Sequence, residues 1–261
     1  MYFSSLNEPE NTSTSGILES TSNGWRTMWK DDGTDYPALL NDFLAGKLDS
    51  EEFKSDYSTS VHQVNALGRR FIFKHYYKLE PRREKRLWHR MAGTFYSRIF
   101  KITQKAVQRG CTNAQEIFLV TEQFQGPYSK EVWLIAEYIE GSPLGGHPLE
   151  LWREKVFRTI AHIHQCGMAS NDLHPHNMIL TPDNEIKLID VSINSPVIIC
   201  QMKDLVRLRR HFGDEPPFKE ILLSTPGRRF LYSMVRTRDW FRRTVRRLQG
   251  KRKDGRKKSQ A

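Results

Sequence analysis

The sequence predicts an α+β protein, with strands concentrated in the first half of the chain and helices in the second. β-Branched and aromatic residues predict two strands within residues 61–77 and two more at 116–123 and 131–138. Apolar residues at helical spacing predict helices at 149–165 and 230–249. A chain of 261 residues is long enough for one two-lobed domain or two small ones.

Other segments complete this assignment along the chain. Residues 37–44 place apolar side chains at helical spacing and end before Gly46, which predicts a short helix. Residues 81–109 predict one long helix with an apolar face, and residues 203–213 predict another helix. Residues 1–33 begin with a stretch rich in Ser, Thr, Asn and Glu, and we expect this extension to be disordered.

The net charge of +11 is concentrated at the C-terminal end. Residues 228–261 contain 14 Lys or Arg and two Asp or Glu, whereas residues 1–227 are nearly neutral. Arginines alternate with Trp, Phe, Met and Leu in 230–249, which predicts a basic amphipathic helix or a pair of helices. This pattern favours an anionic membrane surface over nucleic acid as the partner. Residues 250–261 are almost entirely charged, and we expect them to be disordered.

The sequence also indicates a cellular compartment. No run approaches the ~18 apolar residues that a membrane-spanning helix needs. The first residues are polar and acidic, so no signal peptide is predicted. The three cysteines are scattered and form no CxxC pair, which favours a reduced, cytosolic compartment.

A candidate site lies in residues 170–192. Two short apolar runs flank turn-forming residues there, which predicts a β-hairpin. Asn177 is predicted to begin the first strand and Asp190 to end the second, so both side chains are expected at the same end of the hairpin. Asp172 lies on the loop leading in. Such oxygen ligands suit Mg²⁺ and a phosphoryl group, with one carboxylate left as a base; a polar surface hairpin is the alternative.

These residues resemble the catalytic loop and the metal-binding Asp of the protein-kinase-like fold. The match is Asp172-Leu-His-Pro-His-Asn177 followed by Ile-Asp190, in the form typical of the small-molecule and bacterial branches. The resemblance implies that Asp172 orients the substrate hydroxyl or accepts its proton. It also implies that Asn177 and Asp190 hold Mg²⁺ on the phosphates of ATP. The chain departs from protein kinases in having Ser-Asn before Asp172 and Val-Ser after Asp190.

A second part of the resemblance lies in the first half of the chain. Lys74 ends the run Phe-Ile-Phe-Lys and resembles the strand-three lysine that contacts ATP phosphates; an edge-strand lysine in solvent is the alternative. Kinase-like folds pair this lysine with a Glu of the following helix. Glu84 is the only acid in that predicted helix, and a solvated i, i+4 partner is its alternative role. No glycine-rich phosphate loop precedes Lys74, and backbone amides around residues 58–60 are the candidate substitute.

The resemblance extends to the segment that joins the two halves. Residues 132–141, Val-Trp-Leu-Ile-Ala-Glu-Tyr-Ile-Glu-Gly, resemble the last strand of a kinase-like first lobe and the hinge after it. The backbones of Glu137 and Ile139 would then hydrogen-bond the adenine of ATP. Asp204, at the start of its predicted helix, would brace the catalytic loop from below; a plain helix-terminal carboxylate is the alternative.

The expected architecture is therefore a two-lobed protein-kinase-like fold. A small antiparallel sheet with a long helix would form the N-terminal lobe at 34–140, and a mainly helical C-terminal lobe would follow at 141–249. Within this fold, residues 67–248 resemble the lipopolysaccharide core heptose(II) kinases, with the polar N-terminus outside the resemblance. The most distinctive matches are the catalytic loop and the segment from Asp204 to Arg-Arg-His-Phe-Gly213.

Membership of that group implies transfer of the ATP γ-phosphate to a heptose hydroxyl. The acceptor would be a lipid-linked inner-core oligosaccharide at the cytoplasmic face of the inner membrane. Two alternatives stay open. One is another kinase of the same fold, either a Kdo-type sugar kinase or an atypical RNA-associated protein kinase. The other is a membrane-docked pseudokinase, which the complete set of Asp172, Asn177 and Asp190 argues against.

Overall fold

The structure is a computed structural model that describes residues 16–258, except 78, 80–93, 126–127, 194–195 and 214–217. For residues 125, 128, 242 and 245–258 it describes the backbone alone. The first lobe contains seven antiparallel strands, β1 to β7, at Ile17–Ser22, Trp25–Lys30, Asp49–Ser55, Thr59–Ala66, Arg69–Tyr76, Ile117–Gln125 and Tyr128–Glu137. They form one sheet in the order β1-β2-β6-β7-β5-β4-β3. The α+β class and the two predicted strand pairs are confirmed.

The prediction that residues 1–33 are disordered is wrong for residues 17–30, which form the β1–β2 hairpin. Asn23 and Gly24 occupy its turn with φ of 50° and 77°, the left-handed conformation that a two-residue hairpin loop requires. Strand β2 pairs with β6, and Met28 is fully buried. The hairpin is ordered because it extends the sheet and contributes to the core. The first lobe therefore begins at about residue 17 rather than 34.

Each face of the sheet is covered, because successive strand residues point to opposite sides. Helix α1, Tyr36–Leu44, packs on the outer face, as its apolar spacing predicts. Helix α2, Phe95–Gln108, packs on the inner face toward the second lobe. The helix predicted at 81–109 is therefore confirmed for residues 95–108, whereas residues 80–93 lie outside the described part of the chain. Phe71 and Phe73 of β5 face α1, whereas Ile72 between them faces α2.

The second lobe is mainly helical, as predicted. Its helices are α3 at Leu149–Gln165, α4 at Val197–Phe212 and α5 at Pro226–Lys258. A small sheet joins β8 at Ser142–Pro143, β9 at Met178–Leu180 and β10 at Ile186–Leu188. Helix α4 starts six residues before its predicted beginning. Leu151 of α3 is 78% exposed, because the buried face of that helix runs through Phe157, Ile160 and Ile163.

Helix α5 is one continuous helix rather than a pair. Tyr232 and Val235 are buried against α4 and the rest of the second lobe. The predicted disorder of residues 250–261 is wrong as far as Lys258, because Lys and Arg are good helix formers and the helix propagates through them. In the described part of the chain, no helix is both long and apolar enough to cross a membrane.

Candidate active site

The β9–β10 hairpin brings two predicted site residues together. Met178 pairs with Leu188, and the Ile189 amide donates to the Asn177 carbonyl oxygen at 2.9 Å. Asn177 and Asp190 therefore lie at the same end of the hairpin. Asp190 has a φ of 58°, a conformation that is uncommon outside glycine and that directs this side chain away from the strand path.

The loop before the hairpin places Asp172 beside these residues. The Asn177 side-chain amide donates to the Asp172 backbone oxygen at 3.0 Å, which fixes the loop across the turn. The amide nitrogen is used in this bond, so Oδ1 is the atom of Asn177 that can ligate a cation. The Asp172 carboxylate is 64% exposed and lies 3.1 Å from Nη1 of Arg207. Arg207 gave no sequence signal for this role, because it lies on α4, 35 positions along the chain.

Asp204 of α4 holds the loop from beneath. It is 1% exposed and accepts hydrogen bonds from the backbone amides of Ser170, at 2.8 Å, and Asn171, at 2.7 Å. Its predicted position at the start of a helix is wrong, since α4 begins at Val197. The carboxylate therefore caps no end of α4 and instead accepts hydrogen bonds from two buried loop amides, which need acceptors within the fold.

His164 connects Asp204 to the last helix. Arg228 of α5 donates to Nδ1 of His164 at 3.2 Å, so Nε2 carries the proton and donates to Asp204 at 3.4 Å. Burial lowers the pKa of His164 and outweighs the attraction of Asp204. The imidazole is therefore neutral in the fold, and this chain of hydrogen bonds connects α5 to the catalytic loop.

Lys74 reaches the site from the first lobe. It lies on β5, is buried, and its ammonium group forms an ion pair with the Asp190 carboxylate across the cleft. Burial lowers the pKa of Lys74, but the charge of Asp190 more than compensates and the net direction is upward. The lysine therefore stays protonated, as a group that binds phosphate must. The alternative of a solvated edge-strand lysine is excluded.

Glu84, the predicted partner of Lys74, lies outside the described residues. The described part of α2 contains no acidic residue; Tyr96 occupies its cleft side instead, next to Tyr76 of β5. A buried carboxylate does contact α2: Glu122 of β6 accepts from the Ser97 amide at 3.2 Å and from its hydroxyl at 2.7 Å. Glu122 thus anchors the start of the helix rather than pairing with Lys74.

The cleft between the lobes has a volume of about 760 Å³. Its polar part is lined by Lys74, Asn177 and Asp190, which the sequence assigned to the phosphates and their metal ion, and by Asp172, which it assigned to the acceptor hydroxyl. Its apolar walls come from both lobes, with Val61 and Ile72 facing Ile139 and Ile179. An apolar slot that ends in a few convergent charged groups is the usual form of a nucleotide site.

The turn between β3 and β4 stands where kinases carry a glycine-rich loop. Phe53, Lys54 and Thr59 of these strands line the cleft. The turn itself is tied by Asp56, whose carboxylate accepts from the Ser58 amide at 2.9 Å. Strand β3 was missed by sequence reasoning because it lies at the sheet edge and its residues are exposed and mostly polar.

The hinge places its two predicted adenine contacts differently. Ile139 lines the cleft. Glu137 lies on a separate groove and is held by the protein itself: its amide donates to the Glu116 carbonyl at 2.9 Å. Its carbonyl accepts from the Gln115 side chain at 2.8 Å, and its carboxylate binds Lys187 at 2.6 Å. Ile139 therefore lines the cleft itself, whereas Glu137 lines the neighbouring groove.

The oxygen donors of the site fit a magnesium ion. Mg²⁺ in nucleotide sites is held by one or two carboxylates and further oxygen atoms. Asp190 supplies a carboxylate and Asn177 an amide oxygen, at the same end of one hairpin. The Lys74 ammonium contacts the same Asp190 carboxylate, so a cation there and the phosphates that it binds would meet Lys74 directly.

Two lobes around a cleft, with a lysine from the sheet and an Asp, Asn and Asp from the second lobe, define the protein-kinase-like fold. The chain belongs to the lipopolysaccharide core biosynthesis protein (WaaY) family, whose model matches residues 17–251. The resemblance to the heptose(II) kinase group is confirmed. The predicted range of 67–248 was too narrow, because the family match begins at residue 17 and includes the β1–β2 hairpin.

Two relatives from Escherichia coli carry the name lipopolysaccharide core heptose(II) kinase WaaY. One, from strain K12, is 28% identical over 219 residues, covering 83% of this chain and 90% of the relative. The other is 22% identical over 231 residues, covering 87% and 96%. A solved structure described as WaaP in complex with acyl carrier protein has a TM-score of 0.53 at 16% identity, and the match covers 82% of this chain and 96% of that one. That likeness supports the fold.

Proposed function

We propose that this protein is an ATP-dependent kinase that phosphorylates a heptose hydroxyl of the lipopolysaccharide inner core. The observation that carries the proposal is the meeting of Lys74, Asp172, Asn177 and Asp190 at one end of the cleft. The substrate class comes from the two relatives named as heptose(II) kinases, which align over more than four fifths of the chain.

The residues have distinct roles in this reaction. Lys74 neutralises and positions the ATP phosphates, and the Ile139 backbone meets the adenine. Asn177 and Asp190 would hold Mg²⁺, which when bound offsets the negative charge of the phosphates. The acceptor hydroxyl oxygen forms a bond to the γ-phosphorus while the bond to the ADP oxygen breaks, and Asp172 takes the hydroxyl proton. Glu137, already bonded to Gln115, would offer adenine only the second lone pair of its carbonyl.

Arg207 gives Asp172 its orientation. Its guanidinium contacts the Asp172 carboxylate and also donates to the Asn171 carbonyl oxygen. Without this contact, the exposed Asp172 carboxylate would rotate freely. The pair therefore presents Asp172 toward an acceptor that enters over α4.

The acceptor is expected to be lipid-linked, and α5 is suited to meet the membrane that holds it. Phe230, Met234 and Phe241 are 65%, 56% and 62% exposed and lie within about 40° of one another around the helix. Trp240, about 80–120° away from them around the helix, is also 65% exposed. Apolar side chains flanked by arginines are the pattern of helices that lie on anionic bilayers. We place the enzyme as a peripheral protein on the cytoplasmic face of the inner membrane.

The activity is tested by incubating the protein with Mg-ATP and heptosylated inner-core acceptor, followed by mass spectrometry of the acceptor. We expect one phosphate to be added to a heptose. A core acceptor that lacks heptose but retains Kdo is the matched control. Transfer to the control at an equal rate would make this a Kdo-type kinase, and no transfer to either acceptor would contradict the proposal.

Membrane attachment is tested by replacing Trp240 and Phe241 together with Ser. We expect binding to vesicles that contain anionic lipid to fall about tenfold or more, because burial of each aromatic side chain contributes roughly 1.5–3 kcal/mol. Activity on a soluble, deacylated acceptor should be retained. Replacement of the exposed Leu151 of α3 by Ser is the control and should leave vesicle binding unchanged. Equal binding by the Trp240/Phe241 variant would exclude these two exposed aromatic side chains of α5 as the attachment site.

A further inference from the structure

A second, smaller cavity lies on the far side of the catalytic loop, between α4 and α5. Its volume is about 230 Å³. Lys203, Arg207 and Arg210 of α4 and Arg238 of α5 line it, and the carboxylate of Asp239 is the one acidic group among its lining residues. Four cationic side chains and one anionic one surround this small space. Clustered like charges raise the free energy of a fold unless an anion comes between them, so the composition indicates a binding site.

The loop and the helices position these cations. Lys203 donates to the side-chain oxygen of Asn171 at 3.1 Å. Arg207 donates to the backbone oxygen of Asn171 and contacts the Asp172 carboxylate. Arg210 is paired with Asp239. Arg238 is exposed and makes no ion pair with any residue that the structure describes. A guanidinium without a carboxylate, at the rim of a basic cavity, is suited to a bidentate bond with phosphate or carboxylate.

The cavity and the cleft share one wall. Asn171, which lines the cavity, is followed by Asp172, which lines the cleft, and Arg207 contacts both residues. A molecule whose hydroxyl reaches Asp172 can therefore extend over Arg207 into the cavity. In the proposed reaction the ATP phosphates would meet Lys74 and Asp190, which line the cleft and not the cavity, so the cavity is not needed for the nucleotide.

We infer that this cavity is an anion subsite for the acceptor, and that it binds a phosphate or carboxylate group on the sugar chain near the hydroxyl that is phosphorylated. The inference rests on the proposed function and deepens it, because it makes a neighbouring negative charge part of acceptor recognition. In this scheme Arg238 and Arg210 bind the anionic group of the acceptor. Arg207 contributes both to this cavity and to the orientation of Asp172. The negative charge of this group would also offset the mutual repulsion of the four cationic side chains that line the cavity.

The test is a kinetic comparison of the wild type with Arg238→Gln. We expect the KM for the acceptor to rise about tenfold, the effect of losing one hydrogen bond to a charged group, while the KM for ATP stays unchanged. Arg236→Gln is the matched control, because Arg236 lies about 200° away around the same helix and outside the cavity. A KM for the acceptor that is equal in Arg238→Gln and Arg236→Gln would overturn the inference.

Treated acceptors identify the source of the charge. Removal of phosphate groups, or reduction of carboxylates to alcohols, should each be measured with the wild type and with Arg238→Gln. The treatment that raises the wild-type KM and abolishes the difference between the two proteins identifies the bound group. If neither treatment changes the KM, the cavity does not read an anion of the acceptor.

A variant that is expected to bind anions more tightly shows that the weaker binding of Arg238→Gln is not caused by unfolding. Asp239→Asn removes the one carboxylate of the cavity and should strengthen anion binding severalfold. Binding of inorganic phosphate, followed by ³¹P line broadening, measures this without any transfer reaction. Phosphate should bind more tightly to Asp239→Asn and more weakly to Arg238→Gln than to the wild type. Equal binding by all three contradicts the subsite, whereas absent transfer with this order intact contradicts only the proposed function.

Discussion

Asp172→Asn is expected to reduce phosphoryl transfer by about three orders of magnitude, within the range that a positioned general base contributes. An amide keeps the shape and the contact with Arg207 but does not accept the hydroxyl proton. The fold should be unaffected, because the Asp172 carboxylate is 64% exposed and an exposed ion pair contributes little to stability. ATP binding should also persist, since Lys74 and Asp190 are unchanged.

The measurement is single-turnover transfer to the heptosylated acceptor, together with nucleotide affinity and thermal unfolding of the same preparation. Asp183→Asn is the matched control, because Asp183 is an exposed carboxylate in the turn of the same hairpin. The control should transfer phosphate at the wild-type rate. Transfer by Asp172→Asn within tenfold of the wild type would remove Asp172 from proton transfer.

Short-range geometry explains why much of the site was predictable. Asn177 and Asp190 belong to one hairpin, and the spacing of its strands alone places the two side chains together. The loop that carries Asp172 is adjacent in sequence. The resemblance to the protein-kinase-like fold added Lys74, whose partner is 116 positions away and whose pairing no local pattern reveals.

The failures have equally specific causes. The β1–β2 hairpin and β3 are rich in polar residues, because each lies at or near a sheet edge where one face meets solvent. Composition therefore indicated disorder, although Asn23-Gly24 was a hairpin signal in the sequence. Arg207, Gln115 and Glu122 act through contacts with distant strands or loops, and such contacts depend on the tertiary packing rather than on spacing along the chain.

Asp204→Ala is expected to lower the free energy of unfolding by about 3–5 kcal/mol. The substitution leaves the amides of Ser170 and Asn171 buried without acceptors, and each unsatisfied group costs roughly 1–3 kcal/mol. It also deprives His164 of the acceptor for its Nε2 proton. Because typical domains are stable by only about 5–15 kcal/mol, the variant should approach the limit of folding.

Chemical denaturation of the wild type and of Asp204→Ala gives the difference directly. Glu154→Ala on the exposed face of α3 is the control, since it removes an exposed carboxylate whose ion pair is with the equally exposed Arg158. The control should unfold at the wild-type denaturant concentration. Activity measurements distinguish positioning of the catalytic loop by Asp204 from a contribution to stability alone. Under conditions where Asp204→Ala is still folded, the released loop should lower kcat and leave ATP affinity nearly unchanged. A folded variant with wild-type kcat would show that Asp204 stabilises the lobe without positioning Asp172.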